Sequence, residues 1–560
     1  MEKSRPSRGG WMARDQITRR ELMRRTALAG LATGLAACVP GTGGGPTAAP
    51  AAASASPRHG GTLTWGQWDS NDSIDPANPS GASGTEVINN IVDTLVALDD
   101  KATIIPGLAT TWVMDGEGRK FTFTLRDGVK FHDGTPFDAA SMKRSLERII
   151  NPATKAASMA ALLGPVDTIT APDARTLVVA FKQPNPLFLL ALWRSWFGPL
   201  SPRYLDTLKP GDPATAPVGT GPFKFVGRSA DGVYTLAANA DYAWAPANFQ
   251  NKGAPYLDGL KFRSIPEPGT RLATLESGEN LFIDEASEAD YNRLKDDKRF
   301  AFVLSPRRGL GVGFTINVTK PPTDDRAVRE AMSWAVDRKT IVDRLFFGVH
   351  KVCVGPLGEG VWGRLDDLEK TFSFDPGKAK QLLDAAGWTA GNDGIRAKGG
   401  QRLTLSLVTF GSPWSEMSAV VQSQLRDIGM EVQVQAMARA AYLDYVRAYK
   451  HNLCQSAGTN FDPDELRVRY HSAGVKLANF SGLADASLDA LLTKGSQQQV
   501  GSDERRKTYE DVQRRLVELI PTISIMTQYR VEASAAKVHG IKMNPTGLNA
   551  FPISDAWVES

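Results

Sequence analysis

The chain has 560 residues, with 65 Lys/Arg against 61 Asp/Glu. The first 37 residues hold 8 of those basic and 3 of those acidic side chains, leaving 57 basic against 58 acidic in the rest, a balance that gives no electrostatic support to a nucleic-acid partner. The roughly 500 residues that follow the leader exceed one ordinary core and predict two or three subdomains, with no later apolar run long enough to cross a membrane.

Residues 1–37 read as a twin-arginine export signal: Thr18-Arg19-Arg20-Glu21-Leu22-Met23-Arg24 precedes the short apolar run Thr26 to Ala37. Leu35-Ala36-Ala37-Cys38 resembles a lipobox, which would make Cys38 a lipid anchor; cleavage at a small-residue site between 51 and 56 is the alternative. Residues 38–59, dominated by Gly, Ala, Ser, Thr and Pro, form a tether with too little apolar area to repay ordering.

Past the tether, strand-like and helix-like runs alternate, predicting an α/β fold with mainly parallel pairing. Gly61 to Gly66 reads as a strand, followed by the polar turn cluster Asp69 to Pro76, a natural ligand-facing edge. Arg119 to Arg126 puts Phe121, Phe123 and Leu125 on one face of a strand; Asp138 stands where a helix cap belongs, before Met142, Leu146 and Ile149. Asp324 to Phe347 predicts one long helical segment ended by Gly348. Arg402 to Phe410, Ser415 to Ile428 and Glu431 to Gln435 predict a βαβ crossover, which places Thr409, Phe410, Gly411, Ser412 and Trp414 at a cleft edge. Cys353 and Cys454, in an oxidising compartment, leave a disulfide open.

Catalytic spacing is absent: the sequence has no HExxH, GxSxG, Walker loop or CxxC, and its six histidines never fall at metal spacing. Gly358-Glu359-Gly360-Val361-Trp362-Gly363 matches GxGxxG, but it follows Pro356 and opens no helix, so it reads as a loop. No catalytic residue, cofactor or metal is expected.

Pro106 to Trp112, Phe121 to Arg148, Pro217 to Phe223, Asn239 to Trp244, Tyr256 to Gly278, Asp324 to Arg338, Ala379 to Trp388 and Asp462-Pro463 together resemble the extracellular solute-binding proteins, family 5, the oligopeptide, dipeptide and nickel receptor group. The resemblance implies a two-lobed, type II periplasmic-binding-protein-like α/β fold, with an extra subdomain in the first lobe. On that mapping lobe I is 60–92, 209–309 and 530–560, the extra subdomain 93–208 and lobe II 310–529. It also implies a monomeric, exported receptor, periplasmic or on the outer face of the cytoplasmic membrane, that passes its ligand to an ABC permease with ATPase subunits.

Trp68, Asp69, Phe314, Thr315, Phe410, Trp414, Gln455, Ser456 and Thr459 are the candidate ligand-facing residues, the aromatics as flat walls and the polar groups near strand ends. Trp193, Arg194 and Trp196 lie in a Pro-bounded segment that fits either a ligand wall or a subdomain interface. Peptide receptors resembling this chain carry an acidic residue and a Trp ahead of the Asp-Pro pair; here Thr459 and Ser456 stand in those places. A hydroxyl cannot offset a buried ammonium, so the ligand class widens to modified or blocked peptides, opine-like conjugates or a sugar-bearing compound. An exported hydrolase on the same scaffold and a sensory or chaperone-like binder are the competing readings.

Overall fold

Three principal sheets organise the computed structural model, which describes residues 56–115, 118–411, 414–458, 460–547 and 552–559. The export signal, Cys38, most of the tether, Ser412 and Thr459 lie outside the described residues.

The first lobe is built on a seven-stranded sheet in the order Phe300–Pro306, Tyr529–Ala535, Phe282–Ile283, Thr62–Gln67, Gly259–Ser264, Tyr234–Ala238, Phe223–Arg228. Thr62–Gln67 pairs parallel with both of its neighbours; the other pairs of the sheet are antiparallel. The second lobe has six strands: Lys351–Val352, Thr522–Thr527, Val312–Ile316, Leu453–Ser456, Thr404–Thr409 and Glu431–Ala436. Its parallel part includes the crossover read from the sequence, in which Thr404–Thr409 pairs with Glu431–Ala436 through the helix Trp414–Arg426, and Thr404–Thr409 also pairs parallel with Leu453–Ser456. The third sheet, Ala109–Met114, Lys120–Leu125, Thr176–Phe181 and Val166–Thr170, is antiparallel throughout. The expectation of mainly parallel pairing is therefore corrected to mixed sheets. Several connections, such as the one between Arg228 and Tyr234, are turns too short for the crossover that a parallel pair needs.

Local chemistry sets the helices. Asp138 accepts the Ser141 amide at 2.8 Å while the Ser141 hydroxyl accepts the Asp138 amide at 3.0 Å, a reciprocal cap on Ala139–Ile150 that buries Met142, Leu146 and Ile149. The segment expected as one helix is two, Arg326–Ala335 and Arg338–Leu345. Asp337 starts the second by accepting the Thr340 amide at 3.0 Å. The buried Arg338 holds the break by donating to the carbonyls of Ser524, Ser333 and Val336 at 2.7, 3.1 and 3.2 Å.

Each sheet has its own core: Phe121, Phe123, Phe181 and Phe188 centre the subdomain, Trp65, Phe262 and Phe282 lobe I, and Phe314, Leu407 and Met417 lobe II. The chain passes between the lobes near Arg307, whose amide bonds the Gln528 carbonyl at 2.8 Å, and Arg308, whose amide bonds the Thr546 carbonyl at 3.0 Å. Just beyond the crossing, buried Arg530 meets Glu86 at 2.8 Å, Asp284 at 3.3 Å and Glu532. Burial pushes the Glu532 carboxyl up to about 8 against the pull of Arg530.

The open disulfide resolves to two free, buried thiols. Cys353 follows one edge strand of the lobe II sheet and Cys454 lies three strands away, roughly 14 Å at ordinary strand spacing, where a disulfide needs Cα atoms within about 7 Å. Burial pushes both thiols up to about 12.

Candidate ligand-binding site

On lobe I, Trp68 and Asp69 follow the strand Thr62–Gln67. Asp69 holds its own loop: its carboxylate accepts the Ser70 amide at 2.8 Å and the Ala82 amide at 3.3 Å, tying the loop to the helix Gly81–Ile91. Gly81, at φ +54°, is required there, because a Cβ would sit 1.9 Å from an Asp69 oxygen. Trp68 is half-buried and its indole N–H is shielded without an acceptor among the described residues. Trp414 shares that feature, but so do Trp65, Trp334 and Trp388, so it does not by itself mark a site.

On lobe II, Thr315, Gln455 and Ser456 come together around a cavity of about 20 Å³ beside Arg469 and Phe480. Gln455 accepts the Phe410 amide at 2.8 Å, and half-buried Phe410 meets Tyr442 edge-on at 4.9 Å. Phe314 is corrected: it is fully buried between Val312 and Ile316 in the lobe II core and offers no wall to a ligand. Strand alternation sends it inward, whereas Thr315 and Ser456 share the opposite face. Asp462, of the Asp-Pro pair, is a structural pin, held by both Arg505 nitrogens at 2.6 and 2.8 Å.

The segment Leu189 to Phe197 carries the feature that sequence reading left undecided. Trp196 donates its indole N–H to Thr85 on the helix Gly81–Ile91 at 2.9 Å, and Trp193 meets Phe461 edge-on at 5.7 Å. Between them, Arg194 lies 4.7 Å from the Trp193 ring and 5.6 Å from that of Trp196. It retains some accessible surface, yet desolvation pushes its guanidinium down to about 10.

Its hydrogen bonding sets it apart. Arg271 and Arg338 each donate to four backbone carbonyls. Among the described residues Arg194 makes one bond, to the Leu190 carbonyl at 2.5 Å, and no ion pair. A guanidinium has five N–H donors, so most of this one's have no protein acceptor among the described residues. The signal in the sequence was a lone cation in the apolar run LFLLALWRSWF, which holds no acid.

A family model described as bacterial extracellular solute-binding proteins, family 5 middle, matches residues 103–476. The chain belongs to that family. Heme-binding protein A of Haemophilus influenzae is 28% identical over 503 residues, spanning 84% of this chain and 87% of that one. Di/tripeptide-binding protein 1 of Pseudomonas aeruginosa is 26% identical over 476 residues, spanning 80% and 85%. The solved structure of AgaA from A. tumefaciens R10 in complex with agropinic acid matches with a TM-score of 0.67 at 27% identity, covering 89% of this chain and 99% of that one. This chain is thus a substrate-binding receptor with the two-lobed periplasmic-binding fold, and not an enzyme. The three relatives name three different cargoes, so family membership settles the role of the receptor and leaves its cargo to the residues of its own cleft.

Proposed function

We propose that the receptor leaves the cytoplasm by its twin-arginine leader, remains outside it either free or held by a lipid on Cys38, and closes its lobes on an intact, acidic, peptide-like molecule or conjugate for delivery to an ABC permease. The lobes in this reading are 60–92, 209–309 and 530–560 against 310–529, with 93–208 as the subdomain that carries Arg194. The carrying observation is the guanidinium of Arg194, set between two indoles with no carboxylate among the described residues paired with it. A ligand carboxylate would receive a charge-assisted pair of bonds there, and the Trp rings would cover its neighbouring apolar part. The acid named in the AgaA complex agrees with that chemistry. Trp68, Phe410, Gln455 and Ser456 remain the facing walls and polar contacts of this reading.

Binding and release by hinge closure require only a ligand with higher affinity for the closed form. The test is mass spectrometry of small molecules that co-purify with the natively produced protein, followed by calorimetric titration of the compound into wild type and Arg194→Gln. An unaltered compound with an anionic group is expected, its affinity falling roughly tenfold or more in the variant, the worth of about 1.5–3 kcal/mol for bonds to a charged group. A neutral cargo, or full affinity in the variant, would refute the acidic-ligand reading. Turnover of the cargo would refute the receptor reading.

A further inference from the structure

We infer that a cavity of about 1000 Å³ between the subdomain's sheet and lobe II is a second ligand chamber, taking a planar apolar body that carries a carboxylate or sulfonate. The inference rests on the receptor reading only in taking the occupant to be a small molecule. The volume is at the upper end of the range for small-molecule pockets.

Its walls are aromatic and its charge is cationic. Trp112 and Met114 of the strand Ala109–Met114 face Trp362 of the glycine-rich loop 358–363, and Phe461 lies on the wall. Phe461 is the residue that meets Trp193, on which Arg194 lies. Gly360, at φ +79°, lets Arg308 lie across the loop, since a Cβ there would come within 2.8 Å of Arg308 Nε. That Nε is shielded from water and has no acceptor among the described residues; Nη1 reaches only the Lys101 carbonyl, at 3.3 Å.

Asp99 and Glu359 lie near enough to attract Arg308, but neither hydrogen-bonds it among the described residues, and each nearby acid is held by other donors. Asp99 accepts the amides of Lys101 and Thr103 at 2.9 and 2.8 Å. Glu359 is bound by Lys351 and by the Tyr529 hydroxyl, both at 2.8 Å. Asp462 lines the chamber but is neutralised by Arg505. Asp115, at the rim, accepts the Arg119 amide at 2.7 Å. Arg506 adds a second cation 5.0 Å from the Trp362 ring. Flat apolar walls with a guanidinium whose Nε lacks a hydrogen-bond acceptor among the described residues recognise a flat apolar anion.

The probe is 8-anilinonaphthalene-1-sulfonate, with neutral N-phenyl-1-naphthylamine as its partner lacking the charge; fluorescence titration of the folded receptor reads both. The anion is expected to bind at least roughly tenfold tighter than the neutral compound, and Arg308→Gln to remove that preference. Trp112→Ala should weaken both probes. Arg506→Gln, at an exposed position, guards against misfolding of the Arg308 variant and is expected to weaken the anion alone by roughly threefold. Equal binding of the two probes, or an unchanged preference in both arginine variants, overturns the proposal. If the probe pattern holds while the cargo proves neutral or binds Arg194→Gln at full affinity, the chamber stands and the acidic-ligand reading falls. If cargo binds and the arginine variants leave the probes untouched, the chamber falls alone.

Discussion

Arg505 and Arg194 both lie against aromatic rings inside the protein, and they have opposite surroundings. Arg505 has no accessible side-chain surface, sits 4.9 Å from the Tyr509 ring and is clamped by Asp462 through two bonds. Arg194 has its two indoles, one carbonyl and, among the described residues, no acid. Where the fold supplies the anion, the arginine pins lobe II together. Where it does not, the function proposed above leaves the anion for the ligand to bring. Two histidines show a third outcome, in which the group gives up its charge. His451 donates Nε2–H to the Phe480 carbonyl at 3.0 Å and His132 bonds the Gly221 carbonyl at 2.9 Å, and neither Nδ1 has a partner among the described residues. Burial holds both rings down to about 4.

The comparison breaks first at Asp462. Asp462→Ala strands the Arg505 charge in the interior and should cost about 3–5 kcal/mol of unfolding free energy, measured by urea denaturation. A loss under about 1 kcal/mol would show that Arg505 does not depend on its partner.

The next largest effect is on pH. The buried histidines bind no proton near pH 6 while the unfolded chain does, so their contribution is complete above pH 6.5 and falls as pH drops toward 4. For His451 the loss amounts to up to about 3 kcal/mol at pH 4. His451→Gln keeps an N–H donor and should flatten the wild-type decline of melting temperature between pH 6.5 and 4, with little change at pH 7.5. Parallel profiles for the two proteins would mean that His451 does not sense acid. Glu532 works in the opposite direction: held near 8 in the fold, it withdraws stability as pH rises from about 4.5 to 8, so stability is squeezed from both sides.

Local chemistry was legible in the sequence, and long-range phase was not. The cap at Asp138, the buried face of Ala139–Ile150 and the crossover around Trp414–Arg426 follow from residues a few positions apart, and they stand as read. The break at Val336 and Asp337 was invisible because apolar periodicity runs straight through it; it depends on Arg338 reaching Ser524, 186 residues away. Mixed pairing was missed because strand order is a property of the whole sheet. Phe314 was misassigned because alternation gives a period of two without saying which set faces the core. Arg194 was singled out by its place in a Pro-bounded apolar run, but its role stayed open for a deeper reason: what marks it is that no acid among the described residues pairs with it, and no local window contains that information.

That absence also permits the finest test. Two effects oppose one another at Arg194: the desolvation that pushes its guanidinium down, and the attraction of two indole faces, each worth about 1–2 kcal/mol when shielded from water. Arg194→Met removes both and keeps much of the volume, so unfolding free energy in the absence of cargo should change by no more than about 1 kcal/mol. The same denaturation experiment that registers a large loss for Asp462→Ala should then find this variant almost silent. A loss of about 3 kcal/mol or more would mean that the protein already answers Arg194 within itself, and Arg194 would join Arg505 as a structural pin with nothing left to offer a ligand.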